Sequence, residues 1–307
     1  MTTTRPRRTQ TTQTTQTTQT FTSHDGTELA YRTVGDGPPL LCLPGGPGRA
    51  AEYLGDLGGL AAHRTLVLPD TRGTGASAAS ADPAGYRVDR LVADVEALRR
   101  HLGLDRVDLL GHSAGGSLAL LHAAAHPDRL SSLTLVTPSF AAVGLPSDTG
   151  AEEVIAARAG EPWHAGAVAA YRRVKAARSF AEAAPHRPAF EPLMYGRWDG
   201  TARAHAAADP RQRSLTVSEH YYADYTPDTA DLRRRLAALP CPVLLLAGEL
   251  DLWPTAVSAA GAAALFPDAV LTVQPGAGHY PWLDDPQAFT AAVAGFLSSA
   301  AGRADGR

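Results

Sequence analysis

Between an apolar run, Val107 to Leu110, and a helical stretch from Ser117, the chain places Gly111-His112-Ser113-Ala114-Gly115. A bare G-x-S-x-G arises often by chance. A buried strand before it and a helix after it favour a catalytic serine over a plain turn serine. The glycines have a steric purpose: a sharp strand-to-helix turn brings backbones so close that a Cβ at either position clashes. The serine hydroxyl is then held at the tip, beside a helix N-terminus that favours developing negative charge. Ser113 is therefore the candidate nucleophile, and the chain must contain a sheet whose strands feed helices.

The surrounding sequence alternates accordingly. Strands are expected at Glu28 to Val34, Leu40 to Leu43, Thr65 to Leu68, Val107 to Leu110, Leu133 to Val136, Val243 to Leu246 and Val270 to Val273. The last five are continuous apolar runs, as in strands buried on both faces. Leu91, Val95, Leu98 and Leu102 form one helical stripe, and Phe289, Val293, Phe296 and Leu297 another. Ser117 to Ala125 is apolar nearly all round, which predicts a deeply buried helix. The alternation breaks between Pro138 and Pro240, where about a hundred residues of helical character are too many for a loop. The expected class is α/β: a mostly parallel sheet flanked by helices, with a helical cap inserted between two late strands. The catalytic core spans 21–138 and 241–307, and the cap 139–240, over the strands' carboxyl ends where open sheets bind ligands.

Residues 1–20, almost wholly Thr and Gln after Arg7-Arg8, read as a disordered tail. The twin arginine has no apolar stretch behind it, as a secretory signal requires, so a cytoplasmic protein is expected. Cys42 and Cys241 edge apolar runs and read as buried reduced thiols. A net charge of -3 gives no basic field for nucleic acid, and no apolar run is long enough to span a membrane. No metal site is expected.

A serine hydroxyl needs a base, and in sheets of this kind the acid and then the histidine follow the serine along the chain. Of eleven histidines, His279 follows the last expected strand in a Pro275-Gly276-Ala277-Gly278 loop. Asp251 follows the strand before it and is the expected acid, with Glu249 the fallback. A helix cap for the stretch from Pro254 is the structural alternative for Asp251. Oxyanion donors are expected from the N–H groups of Ala114 and, in the Leu43-Pro44-Gly45-Gly46-Pro47-Gly48 loop, Gly46.

The Gly45-Gly46-Pro47-Gly48 loop and the Asp70-Thr71-Arg72-Gly73-Thr74-Gly75-Ala76-Ser77 segment resemble the H-G-G-P-G and D-x-R-G-x-G-x-S motifs of proline iminopeptidases and their relatives. With Gly111 to Gly115, Asp251 and His279 in order, the resemblance covers the whole catalytic core. It implies an α/β-hydrolase fold, a helical cap, no cofactor, and a structural or loop-ordering role for Arg72. Pro44 stands where the motif has histidine. Relatives bind the substrate's free amine through cap glutamates; the candidates here are Glu152, Glu153, Glu161, Glu182, Glu191 and Glu219, none clearly aligned. Substrate-lining candidates are Gly45 and His112 beside the elbow, and Trp163, Tyr221, Tyr222 and Trp282; lid–core packing is the alternative for the aromatics.

The expected reaction is hydrolysis of an ester or amide of a small molecule or short peptide. Aminopeptidase action on N-terminal proline stands beside a small-molecule esterase, lactonase or thioesterase. A non-catalytic receptor is the remaining class. Epoxide and haloalkane chemistry is disfavoured because such relatives use Asp at the position of Ser113.

Overall fold

The computed structural model describes residues 17–304. Eight strands form one sheet: β1 (Thr18–Thr22), β2 (Glu28–Val34), β3 (Pro39–Leu43), β4 (Thr65–Pro69), β5 (Val107–His112), β6 (Leu130–Val136), β7 (Val243–Gly248) and β8 (Ala269–Gln274). Their spatial order is β1-β2-β4-β3-β5-β6-β7-β8. The pairs β1–β2 and β2–β4 are antiparallel, and all the others are parallel. Because side chains alternate across a strand, each central strand feeds two cores. Leu41, Leu109, Leu133 and Leu245 point to one side, and Leu40, Leu110, Val136 and Leu244 to the other.

Two expectations change at the sheet's edges. The Thr/Gln tail, read as 1–20, ends earlier: residues 1–16 lie outside the described residues, but Thr18 to Thr20 belong to β1. Thr18 pairs with Arg32 and Phe21 with Leu29. Threonine suits a half-buried pleated edge, and Phe21 supplies the one buried anchor, packing against Tyr31 and His101. β8 is not covered on both faces, since it is the other edge and leaves Val270 and Val273 exposed.

Helix α1 (Val92–His101) buries Val95 and Leu98 of the expected stripe. Helix α2 (Ala114–Ala125) is buried nearly all round and runs straight out of the Ser113 turn. The helix Pro286–Ala304 closes the second core with Phe289, Val293 and Leu297.

Between β6 and β7 the chain is helical. Helices α3 (Ala151–Ala157) and α4 (His164–Ala176) lead into short helical turns, then the helices Gly200–Gln212, Leu215–His220 and Thr229–Leu236. Asp199, Ser214 and Asp228 cap the last three through their side chains, each satisfying an orphan backbone donor. The insertion is bound to three loops at the strands' carboxyl ends. Ala50 N–H donates to Gln212 O and Ser214 N–H to Gly48 O; His279 N–H donates to Met194 O. Tyr171 and Phe190 each pack 5.3 Å from the ring of Trp253, beside Asp251.

Candidate active site

Ser113 sits at φ 53°, ψ −122°, in the positive-φ half of the dihedral map that residues with side chains avoid. Holding a non-glycine residue there costs on the order of 1–3 kcal/mol, so the surroundings must enforce it. Ser113 N–H donates to Val136 O, and its carbonyl accepts from Gly116 and Ser139. The flanking glycines act as expected. A Cβ on Gly111 would lie 2.6 Å from Gly115 O, and one on Gly115 would lie 2.6 Å from Pro44 O.

The three chemistry-bearing residues converge. His279 Nε2 lies 2.9 Å from Ser113 Oγ, and His279 Nδ1 lies 2.9 Å from Asp251 Oδ2. Asp251 is fully buried, and its second oxygen accepts from Trp253 N–H at 3.0 Å. It does not cap the next helix; Thr255 does, accepting from Ser258 N–H. Glu249 is exposed and accepts from Gly276 N–H at 2.7 Å, away from the imidazole.

The glycine loop after β3 is held from both sides. Gly45 N–H donates to Tyr53 Oη at 2.7 Å, which lies 2.6 Å from His112 Nδ1, while His112 Nε2 is 3.0 Å from His279 O. The carbonyl can only accept, so Nε2 carries the proton and Nδ1 accepts from the tyrosine hydroxyl. Burial, followed by the neighbouring His279 ring, holds His112 well below the usual imidazole range, consistent with this neutral chain. From the insertion, Arg213 donates to Gly46 O at 2.7 Å and Pro47 O at 2.8 Å, and Ser218 Oγ donates to Pro47 O. Arg213 is fixed in turn by a two-pronged bond to Asp209, at 2.8 and 2.6 Å. Burial pushes the Asp209 carboxyl up, but the Arg213 bonds outweigh it and hold it at about 2. With Gly45 N–H taken, the N–H groups of Gly46 and Ala114 have no partner among the described residues.

A cavity of about 260 Å³ opens on Ser113. Gly46, Ala114, His112, His279 and Tyr222 line it, as do Tyr53, Phe190, Met194, Trp253 and Tyr280 from neighbouring elements. Four substrate-lining candidates do not line it. Gly45 is stacked so tightly that a Cβ there would lie 2.7 Å from Ser113 Cβ. Tyr221 is buried beneath, donating to Ala114 O at 3.0 Å. Trp282 packs edge-on against His112 with ring centres 4.8 Å apart, and Trp163 lies under the Arg158 guanidinium in the insertion. These three do the packing work of large amphipathic rings. Trp253 and Tyr280 were detectable by their closeness to Asp251 and His279.

Arg49, Arg187 and Arg213 also line this cavity, and no Asp or Glu does among the described residues. The six glutamates of the insertion fall elsewhere. Glu152, Glu153, Glu161 and Glu182 are exposed, and Glu219 accepts from Ala181 N–H. Glu191 alone is buried, 3.4 Å from Arg187 and lining a second cavity of about 370 Å³. Arg72 lies outside the site, donating to Asp94 through Nε and Nη2 at 2.6 Å each, and to Asp25 and Thr27 through Nη1.

Residues 38–286 match the alpha/beta hydrolase fold family, and the chain belongs to that family of hydrolases. It is 31% identical over 287 residues to a proline iminopeptidase of Levilactobacillus brevis, covering 88% of this chain and 92% of that protein. Among solved structures it is similar to a proline iminopeptidase of Mycobacterium smegmatis, at a TM-score of 0.71 and 25% identity over 94% of this chain and all of that one. An esterase of a Rhodococcus species superposes equally well, at a TM-score of 0.70 and 25% identity, covering 92% of this chain and 98% of that one. No helix among the described residues is long and apolar enough to cross a membrane.

Proposed function

We propose that this protein hydrolyses an ester or amide by acyl transfer through Ser113. The observation that carries the reading is the His279 ring, 2.9 Å from the serine oxygen on one side and 2.9 Å from a buried carboxylate on the other. His279 Nε2 takes the Ser113 proton as Oγ attacks the carbonyl. The resulting oxyanion accepts from the N–H groups of Gly46 and Ala114, which are otherwise unpartnered. Collapse expels the alcohol or amine with the proton from His279. Water, deprotonated by the same nitrogen, then attacks the acyl-serine and releases the acid. Asp251 keeps the Nδ1 proton in place and stabilises the imidazolium. The helices between β6 and β7 serve as the cap over this chemistry. Two buried free thiols suit a cytoplasmic setting.

The names of the relatives favour an aminopeptidase. The cavity favours an ester or amide without a free amine, because an ammonium group needs a carboxylate and finds three guanidiniums instead. Hydrolysis of p-nitrophenyl valerate is measured beside prolyl-β-naphthylamide, with Ser113→Ala as control. The expected result is faster turnover of the ester and a fall of about 10⁴-fold or more in the variant. Undiminished turnover in Ser113→Ala overturns the mechanism, and a strong preference for the prolyl amide restores the aminopeptidase reading.

A further inference from the structure

The three arginines of the Ser113 cavity are not equivalent. Arg213 spends its donors on Asp209, Gly46 O and Pro47 O. Arg49 donates to Gln212 and His205 O and lies 4.5 Å over the Tyr53 ring. Arg187 is poorly satisfied. Among the described residues its side chain makes one bond, a 3.4 Å contact from Nη2 to Glu191, and its Nε is buried without a partner.

The Arg187 side chain is 19% exposed, and a mostly covered guanidinium with so few partners gains from an anion that completes it. Glu191 is a weak counter-ion, because burial raises its carboxyl above the ordinary range against the pull of Arg187. Asp209 is already committed to Arg213. Both acids line the second cavity, whereas Arg187 and Arg213 line both. Asp209 also lies 3.5 Å from Arg49, so two carboxylates face three guanidiniums and one positive charge is left over, beside a pocket whose other walls are largely aromatic and apolar.

We propose that Arg187 is a specificity-determining residue that binds a carboxylate on the substrate, so that the preferred substrates are esters or amides carrying a carboxylate besides the scissile bond. The inference rests on Ser113 being the nucleophile. A guanidinium offers parallel N–H bonds to a planar carboxylate, and its two terminal nitrogens, Nη1 and the loosely held Nη2, form such a fork. At a side chain this well covered, such a pair gains more than at a fully exposed arginine.

Two matched ester pairs test this, one for each side of the scissile bond. On the acyl side, p-nitrophenyl monoglutarate is compared with p-nitrophenyl valerate. On the leaving-group side, 4-carboxyphenyl valerate is compared with 4-carbamoylphenyl valerate. Uncatalysed hydrolysis is subtracted. The wild-type enzyme is expected to favour the charged member of at least one pair by about tenfold or more in kcat/KM, mainly through KM. Arg187→Met is expected to collapse that ratio, and Arg187→Lys to keep part of it. The inference is overturned if neither charged ester is preferred by the wild-type protein, or if Arg187→Met lowers both members of a pair alike. Ser113→Ala separates the two levels. If it still hydrolyses the esters, the nucleophile reading fails; if it is inactive while the ratios are flat, only the carboxylate reading fails.

Discussion

On the sheet side of the catalytic cavity, Ser113, Asp251 and His279 each stand just past the end of a parallel strand, β5, β7 and β8 in turn. Their positions follow from backbone ladders, tight glycine turns and a neutral hydrogen-bonded chain through Tyr53 and His112. On the opposite side, the walls come from the helical insertion, and buried charge holds them. Arg213 grips Asp209 with one edge and the glycine loop with the other. The contrast separates two ways of fixing a site. The sheet side is rigid because the strands are, whereas the insertion side depends on a few ion pairs whose loss leaves a charge stranded.

The largest effect should come from the sheet side. Asp251→Asn is expected to lower kcat by about 10⁴-fold, because the amide cannot hold the imidazole in the required tautomer. Glu249→Gln should change it little, since that side chain is exposed and, among the described residues, bonds only to Gly276 N–H. Steady-state kinetics on one ester decides between them; the opposite ranking would mean that the wrong carboxylate had been assigned.

Next comes the insertion side. Arg213→Met strands a buried aspartate and frees two loop carbonyls. Stability is expected to fall by about 3–5 kcal/mol in urea unfolding, and kcat by about 10²-fold as the oxyanion loop loosens. Pairing it with Asp209→Leu should restore much of the stability but not the rate. A double variant with full activity would break the comparison, because the loop would then be held by the sheet side alone.

The smallest effect sharpens the account of the neutral chain. Tyr53→Phe leaves Gly45 N–H and His112 Nδ1 without their partner, which should cost about 1–3 kcal/mol of stability. The rate should fall by about tenfold, since the loop keeps its Arg213 clamp. A loss as large as that of Arg213→Met would place the main support of the loop on the sheet side.

The same contrast explains what the sequence disclosed. Buried parallel strands are continuous apolar runs, so the seven expected strands appear within a few residues of their observed bounds. Ser113, Asp251 and His279, which the structure brings together, each lie where a strand ends and glycine or proline punctuates the turn, and that is what drew attention to them in the sequence. β1 was not, since a Thr/Gln segment with one phenylalanine carries no periodic signal, and only its pairing with β2 makes it a strand. Arg187 and Arg213 look like any arginines near helices. Arg213 is set apart by contacts with residues far away in sequence, Gly46 and Pro47, and Arg187 by lining the same cavity as Ser113. The glutamates of the insertion are no more legible: Glu191, the one of the six that is buried, lies 3.4 Å from Arg187, a pairing that the sequence does not announce.

The His279 loop and the insertion touch backbone to backbone. His279 N–H donates to Met194 O at 2.7 Å, and a Cβ on Gly278 would lie 2.6 Å from that same carbonyl. Swinging the insertion open as a rigid flap would therefore break this bond and disturb the loop that holds His279 against Ser113. The insertion is also not an interchangeable cassette. Grafting it between relatives to exchange specificity would transplant half of the histidine's mooring. A working chimera has to carry Gly276 to His279 across together with the helices, as one unit of inheritance.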